Sequence, residues 1–467
     1  FLSGCRQHHS AMTEDLRRLW QPTIASGHDE RSQESRRVRP LRMTPCGFLG
    51  AQACALGLAL AIAAPAWPQD KAIGRTVESL LVFARESNPE YAAIRSEADA
   101  ALERVTPAGA LADPKFRMEL RDITKSGDQN PMLSPSQVGS TRYLLSQDLP
   151  WFGKRELKRE IAEFEAEGAT SRARGTWSDL AARIKAAHAQ RYYLSRNEKL
   201  TREILDLIVR LEKVAQVRYA GGLAAQQDVI RAQVEQTSMR SELVTLESES
   251  RQVDARLNAL LARPAAAELA QPERLPVLPT AARLDYATLE ERVRARNPVL
   301  FAEESRLKAA EKSRELAYRN RYPDFTVGFG PIQYQNAVKE WEVMVELNIP
   351  LQLSTRRAQE RESEAMLSAA RARKEATANQ ALADLAENLA GIEAARRIEM
   401  LATTSLLPQA ELTFRAALAG YENGKIDFAT LLEAQRQIRQ ARQSQIKAQS
   451  EAQIRLAAIE RLLGEDL

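Results

Sequence analysis

Thr141-Arg-Tyr-Leu-Leu-Ser-Gln-Asp-Leu-Pro-Trp-Phe-Gly-Lys-Arg155 decides how this chain is read. Tyr143, Leu145 and Leu149 alternate with Arg142, Ser146 and Asp148, which predicts a strand over about 141–149 with one apolar and one polar face. Pro150 ends it, because proline has no N–H to give to a ladder. Trp151 and Phe152 place aromatics at the strand's end, and from Lys154 a long, charged helical pattern begins.

Three more stretches share the alternation. Phe116, Met118 and Leu120 oppose Arg117, Glu119 and Arg121 in a strand over about 115–123. Phe325, Val327 and Phe329 alternate with Thr326, Gly328 and Gly330 over about 325–330. Trp341, Val343, Val345, Leu347 and Ile349 alternate with Glu342, Met344, Glu346 and Asn348 over about 341–349. About nine residues is the length that carries a tilted strand across a bilayer's apolar layer. One such strand alone reads as the half-buried sheet of a soluble α+β protein. Four of them in two hairpins, with Trp151, Phe152 and Trp341 as membrane-interface aromatics, point to a membrane barrel.

Composition supports a mainly helical chain with little chemistry. Aromatics are 6% and charged residues 27% of 467. The net charge of +4 is concentrated at the start: residues 1–66 carry eight arginines against five acidic residues, leaving 58 basic against 57 acidic. The body is therefore nearly neutral and shows no nucleic-acid footprint. The apolar run Phe48–Ala64, ending Ala64-Pro-Ala66, reads as a signal peptide over about 43–66 with cleavage before Trp67; a membrane anchor is the alternative. Cys5, Cys46 and Cys54, with His8, His9 and His28, all lie in that leader. His188 alone remains, and it reads as an ordinary helix residue. No nucleophile motif, phosphate loop or metal-ligand spacing is present, so no enzyme activity, cofactor or bound metal is expected.

Beyond the leader the chain repeats. Asn88-Pro89 recurs as Asn297-Pro298 and Phe116 as Phe325, 209 residues apart; Tyr219 recurs as Tyr421 and Gly222 as Gly424, 202 apart. The constant offsets indicate a tandem duplication, with repeats over 67–263 and 284–467 joined by a proline-rich linker, 264–283. Each repeat reads as helix, strand, loop (124–140 or 331–340), strand, very long helix, glycine turn, helix. The expected helices run from about Thr76 to Ala112, Lys154 to Tyr219, Ala224 to Ala262 and Arg356 to Gly420, the last kinked at Pro408. The shorter helices together match one long helix laid end to end.

Four strands cannot close a membrane barrel, and a bilayer tolerates no open edge, so several copies must pool their strands. Here the chain resembles the TolC-like outer-membrane factors of tripartite efflux and secretion systems. The resemblance rests on the duplication, the hairpins set between helices, the Leu149-Pro-Trp-Phe-Gly-Lys-Arg155 exit, and the turns Arg218-Tyr-Ala-Gly-Gly222 and Gly420-Tyr-Glu-Asn-Gly424. It implies a homotrimer with a twelve-stranded outer-membrane barrel in lipid, continued by a periplasmic helical tunnel. It also implies a periplasmic membrane-fusion adaptor and an inner-membrane resistance–nodulation–division pump, with the exit motif most similar to the heavy-metal branch. Any metal selection would then belong to the pump. Carried over to this chain, the adaptor-binding tip comprises Arg218, Tyr219, Gly222 and Leu223 with Tyr421, Gly424 and Lys425. Glu411 is a candidate tunnel constriction. A periplasmic coiled-coil scaffold or adaptor that never enters a membrane is the competing class.

Overall fold

The computed structural model describes residues 73–124, 131 and 133–467. The signal peptide and the cleavage point before Trp67 lie outside the described residues. Helices α1 (Val77–Ser87), α2 (Pro89–Glu103) and α3 (Val105–Gly109) lead into β1 (Lys115–Arg121) and β2 (Ser140–Leu149). Then come α4 (Lys154–Ala220) and α5 (Gln226–Leu260). A short 3-10 turn, Ala281–Leu284, comes next, followed by α6 (Tyr286–Arg296), α7 (Pro298–Arg319), β3 (Asp324–Tyr334) and β4 (Ala337–Asn348). Finally α8 (Leu353–Leu401) passes through a π-helical turn, Ala402–Leu406, into α9 (Leu407–Glu422), and α10 (Phe428–Leu463) follows.

The expected single helix over 76–112 is broken at Asn88. Its side chain accepts from Tyr91 N at 2.9 Å, capping α2, and Pro89 supplies the preset φ of a first helical residue. Asn88 Nδ2 also donates to Leu260 O at 2.8 Å, so the start of α2 abuts the end of α5. Asn297 does the same in the second repeat. It accepts from Val299 N and Leu300 N, each at 2.9 Å, and donates to Leu462 O at 2.9 Å, joining α7 to the end of α10. The end-to-end matching of short helices thus has a physical joint, made twice by the same residue type.

The linker is pinned rather than loose. Gln453 Nε2 donates to Pro276 O at 2.6 Å, and Arg191 Nη1 to Ala270 O at 2.7 Å. Beneath it, Leu80 and Ala84 of α1 bury against Leu180 and Ile184 of α4 and Val253 and Leu257 of α5. Leu289 and Val293 of α6 repeat the arrangement against Leu385 and Ile392 of α8 and Leu456 and Ile459 of α10. Pro408 stands at the start of α9, directly after the π turn, where the helix accommodates the missing N–H.

The four strands form one antiparallel sheet in the order β1-β2-β3-β4. The second hairpin is longer than expected: residues 331–334 and 337–340 belong to strands, and the turn is only Gln335–Asn336, with Gln335 at φ +54°. Pro331 falls within the expected loop, 331–340. It sits instead where the β2–β3 pairing lapses, between Leu145↔Phe329 and Arg142↔Ile332, so its missing N–H leaves no ladder bond unmade.

Candidate functional site: an open sheet and two helical tips

The outer face of the sheet is apolar and bare. Phe116, Met118, Leu145, Phe329, Trp341, Val343, Val345 and Leu347 are all exposed, with Val345 at 64%. A contiguous apolar patch of this kind marks a surface that is covered by something other than water. Among the described residues, both edge strands, β1 and β4, lack an outer partner.

The opposite face is polar and cross-braced. Arg142 reaches Glu119 on β1 at 3.5 Å and Glu342 on β4, passing over β3. Lys115 Nζ lies 2.6 Å from Asp148 Oδ2, and Thr326 Oγ1 donates to Asp148 Oδ1 at 2.8 Å. The crossing is possible because β3 presents Gly328 and Gly330 there. A Cβ at Gly330 would run into the Tyr143 carbonyl, and one at Gly328 would press on Leu144 and Ser146 at 3.2 Å. Leu144 fills the space over these glycines and is buried. Alternation alone put polar residues on this face; the two glycines opposite were the signal for an apolar exception.

The strand exit is held by Asp324. Trp151 N donates to its Oδ1 at 2.8 Å, and so does the buried Lys154 Nζ, also at 2.8 Å, with Tyr322 O as its second acceptor at 2.9 Å. Trp151 stacks on Tyr322 with ring centroids 5.3 Å apart and meets Phe325 edge-on. Gly153 takes φ +77° beneath the Arg319 guanidinium, which donates to Phe152 O at 3.0 Å, and the Phe152 ring is left exposed. Trp341 is exposed six residues before Leu347, about 20 Å along the strand. The aromatics therefore fall in two bands near opposite ends of the sheet.

About 100 Å of helix separates the sheet from the first tip. Both tips end in the same motif. Leu223 N donates to Arg218 O at 2.8 Å and Gly222 N to Tyr219 O at 3.0 Å; Lys425 N donates to Gly420 O at 2.8 Å and Gly424 N to Tyr421 O at 3.0 Å. This is the Schellman pattern, which needs a left-handed residue, and Gly222 and Gly424 supply it at φ +71° and +68°. The two tyrosines diverge. Tyr219 is 47% exposed, as Leu223 is exposed, whereas Tyr421 is 3% exposed against Phe428, with ring centroids 5.2 Å apart. Burial and the neighbouring Asp228 carboxylate raise the Tyr421 hydroxyl above its ordinary pKa.

Arg218 joins the tips. Its guanidinium lies 5.0 Å from the Tyr421 ring centroid, and Nη1 donates to Glu422 O, at the end of α9, at 2.6 Å. Arg218 and Tyr421 are thus engaged with each other in one protomer, while Tyr219, Gly222, Leu223, Gly424 and Lys425 face outward. Glu411 is half-buried and lies 3.4 Å from Arg442, which also approaches Glu203 at 3.7 Å. His188 is buried on α4, and desolvation, helped by the Arg191 charge, depresses its pKa to about 4. Among the described residues no three His, Cys, Asp or Glu side chains gather as a metal site.

Comparison with known proteins places this architecture. The outer membrane efflux protein family matches residues 80–263 and 289–465, one segment in each half of the chain. The cobalt-zinc-cadmium resistance protein CzcC of Cupriavidus metallidurans is 26% identical over 409 residues, covering 86% of this chain and 92% of that protein. The structure of CusC superimposes with a TM-score of 0.72 at 17% identity, over 86% of this chain and 96% of that one. VceC of Vibrio cholerae superimposes at 0.71 and 18% identity, over 84% and 96%. The outer-membrane channel OprN does so at 0.71 and 20% identity, over 83% and 89%. With both halves matched by the family and a sheet that is apolar outside and polar inside, the chain belongs to the outer membrane efflux protein family and has the fold of its TolC-like outer-membrane channels.

Proposed function

We propose that this chain is the passive exit duct of a tripartite heavy-metal efflux system, acting as a homotrimer. The observation that carries the reading is the four-stranded sheet with two unpaired edges and a bare apolar outer face. Three copies give twelve strands and close the edges, which four strands cannot do. The repeats over 67–263 and 284–467, with their linker over 264–283, then line one continuous conduit. Phe152 with Trp151, and Trp341, mark the two lipid–water boundaries, matching the aromatic girdles of membrane barrels.

Divalent heavy-metal cations are proposed as cargo on the similarity to the cobalt-zinc-cadmium resistance protein. The duct performs no chemistry in this reading; an inner-membrane resistance–nodulation–division pump supplies energy and selection. The exposed tip residues Tyr219, Gly222, Leu223, Gly424 and Lys425 meet the periplasmic adaptor, with Arg218 and Tyr421 holding the two tips in register behind them. Glu411, paired with Arg442, is assigned to the helix packing rather than to a constriction.

The test is growth of a strain lacking this chain on graded cobalt, zinc and cadmium, with and without a plasmid copy. Restored tolerance only when the cognate pump is also present supports the assignment. Metal tolerance unchanged by deletion, alongside altered tolerance to organic compounds, would replace the cargo and keep the duct.

A further inference from the structure

The two open edges of the sheet carry opposite charge on the same polar face. On β1 this face presents Lys115, Arg117, Glu119 and Arg121; on β4 it presents Glu340, Glu342, Met344 and Glu346. Within one protomer Lys115 is paired with Asp148, Glu119 with Arg142 and Arg121, and Glu342 with Arg142. Arg117 and Glu346 are different. Each is exposed, each lies on an edge strand, and neither has an ion-pair or hydrogen-bond partner among the described residues. Unpaired charges of opposite sign on opposite edges of one sheet are what two copies need in order to recognise each other edge to edge.

The stagger of a closed barrel can be worked from its tilt. Four strands about 4.8 Å apart, tilted at about 35–45°, advance the strand axis by about four to six residues per protomer. The shift must be even, because an odd slip would turn the apolar face inward. A shift of four in one sense places Glu346 directly opposite Arg117 and Glu342 opposite Arg121, with Asn348 beside Lys115. A shift of six in that sense puts Glu346 against Glu119. In the opposite sense, four sets Glu340 against Lys115 but Glu342 against Asp113, two residues before β1, and six sets Glu340 against Asp113. Like charges directly opposite are destabilising. Of the four closures the tilt allows, only one brings opposite charges together with no like-charged pair.

We propose that a second copy of this chain docks its β1 against β4 with a four-residue stagger, and that Arg117–Glu346 and Arg121–Glu342 ion pairs fix that register from the inside of the barrel. The same charges keep the free edges from pairing in any other way before assembly, which is how edge strands are generally protected. The inference rests on the trimeric barrel proposed above and goes beyond it by specifying the seam.

The test replaces Cys5, Cys46 and Cys54 with serine and introduces Arg117→Cys with Glu346→Cys. Directly opposed residues of an antiparallel pair sit about 4.5–5.5 Å apart at Cα, within disulfide reach, while diagonal neighbours at about 7–8 Å are not. Oxidised outer membranes should yield covalent trimers, with at least tenfold less from Glu119→Cys with Glu346→Cys. Separately, Arg117→Glu or Glu346→Arg should lower trimer yield about tenfold, and the two together should restore it to within about twofold. Crosslinking through 119 and 346 instead, or no rescue by the double reversal, overturns the register while leaving the trimer intact. If glutaraldehyde captures no trimer of the unmodified chain in outer membranes, the barrel reading itself fails, and the seam with it.

Discussion

Replacing Val345 with arginine asks directly whether the bare face of the sheet meets lipid. Val345 is 64% exposed and lies four residues from Trp341 on the same face. Four residues span about 14 Å along the strand, or about 10 Å of depth at a tilt near 40°. In an apolar band about 25 Å tall that begins near Trp341, position 345 is close to the midplane, where arginine costs about 2–4 kcal/mol. Three copies per trimer make that roughly 6–12 kcal/mol, comparable with the whole stability of an ordinary domain. Val338→Arg is the matched control. Across the register shift in β4 it pairs with Gln333, so it faces the same way, but it lies at the turn end of β4, where the cost is about 0–1 kcal/mol. The assay is crosslinked trimer in purified outer membranes at equal expression. The expected result is near loss for Val345→Arg and near wild-type yield for Val338→Arg. Equal yield of both, with a cysteine at 345 labelled freely by a membrane-impermeant maleimide, would show that this face sits in water.

Four further predictions follow from the helical body. Asn297→Ala removes a cap and leaves Leu462 O and two amides without their partner, and it should destabilise the chain by about 2–4 kcal/mol in thermal unfolding followed by circular dichroism. Ala262 holds φ +54° where the second repeat has Gly464 at φ +70°; Ala262→Gly should raise stability by about 1 kcal/mol, and Gly464→Ala should lower it by more, because its Cβ would press on Pro298 at 3.1 Å. His188 has a native pKa of about 4 against an ordinary value of 6.5, so the unfolded chain takes up the proton first. Stability is then complete above pH 6.5 and falls by about 1.4 kcal/mol per unit down to about pH 4, a slope that His188→Gln should flatten in denaturant titrations. Gly222→Glu combined with Gly424→Glu strains both left-handed turns while the barrel is remote; trimer yield should persist while metal tolerance and adaptor crosslinking are lost, and loss of the trimer would make the glycines purely structural.

Periodicity exposed most of this fold because its elements are long and unambiguous. Strand faces followed from period-two alternation, and α4 and α5 lie within two residues of their expected ends. What escaped was set by contacts between elements. The break at Asn88 was written locally, since asparagine followed by proline is a helix start, but a continuing apolar rhythm concealed it. Pro331 is held within a strand because β2 skips a pairing there, a contact that no local pattern records. Tyr219 and Tyr421 look like twins in the sequence; only the packing of Arg218 and Phe428 around one of them separates their roles. The tips were identified as places, but which of their side chains remain free for a partner depends on that packing.

The joints at Asn88 and Asn297 have a mechanical consequence. A continuous helix resists twisting along its whole length, because every turn is tied to the next by backbone hydrogen bonds. A butt joint bridged by one asparagine carries axial load but little torque. Where α5 meets α2, and α10 meets α7, rotation of the lower segment need not turn the upper one. Among the described helices, only α4 and the α8–α9 run carry a shaft unbroken by such a joint, and the second of these is softened by a π turn. A twist applied at the tips by a periplasmic partner would therefore reach the barrel through half of the rods at most. The sheet can hold its seal in the membrane while the far end of the conduit moves.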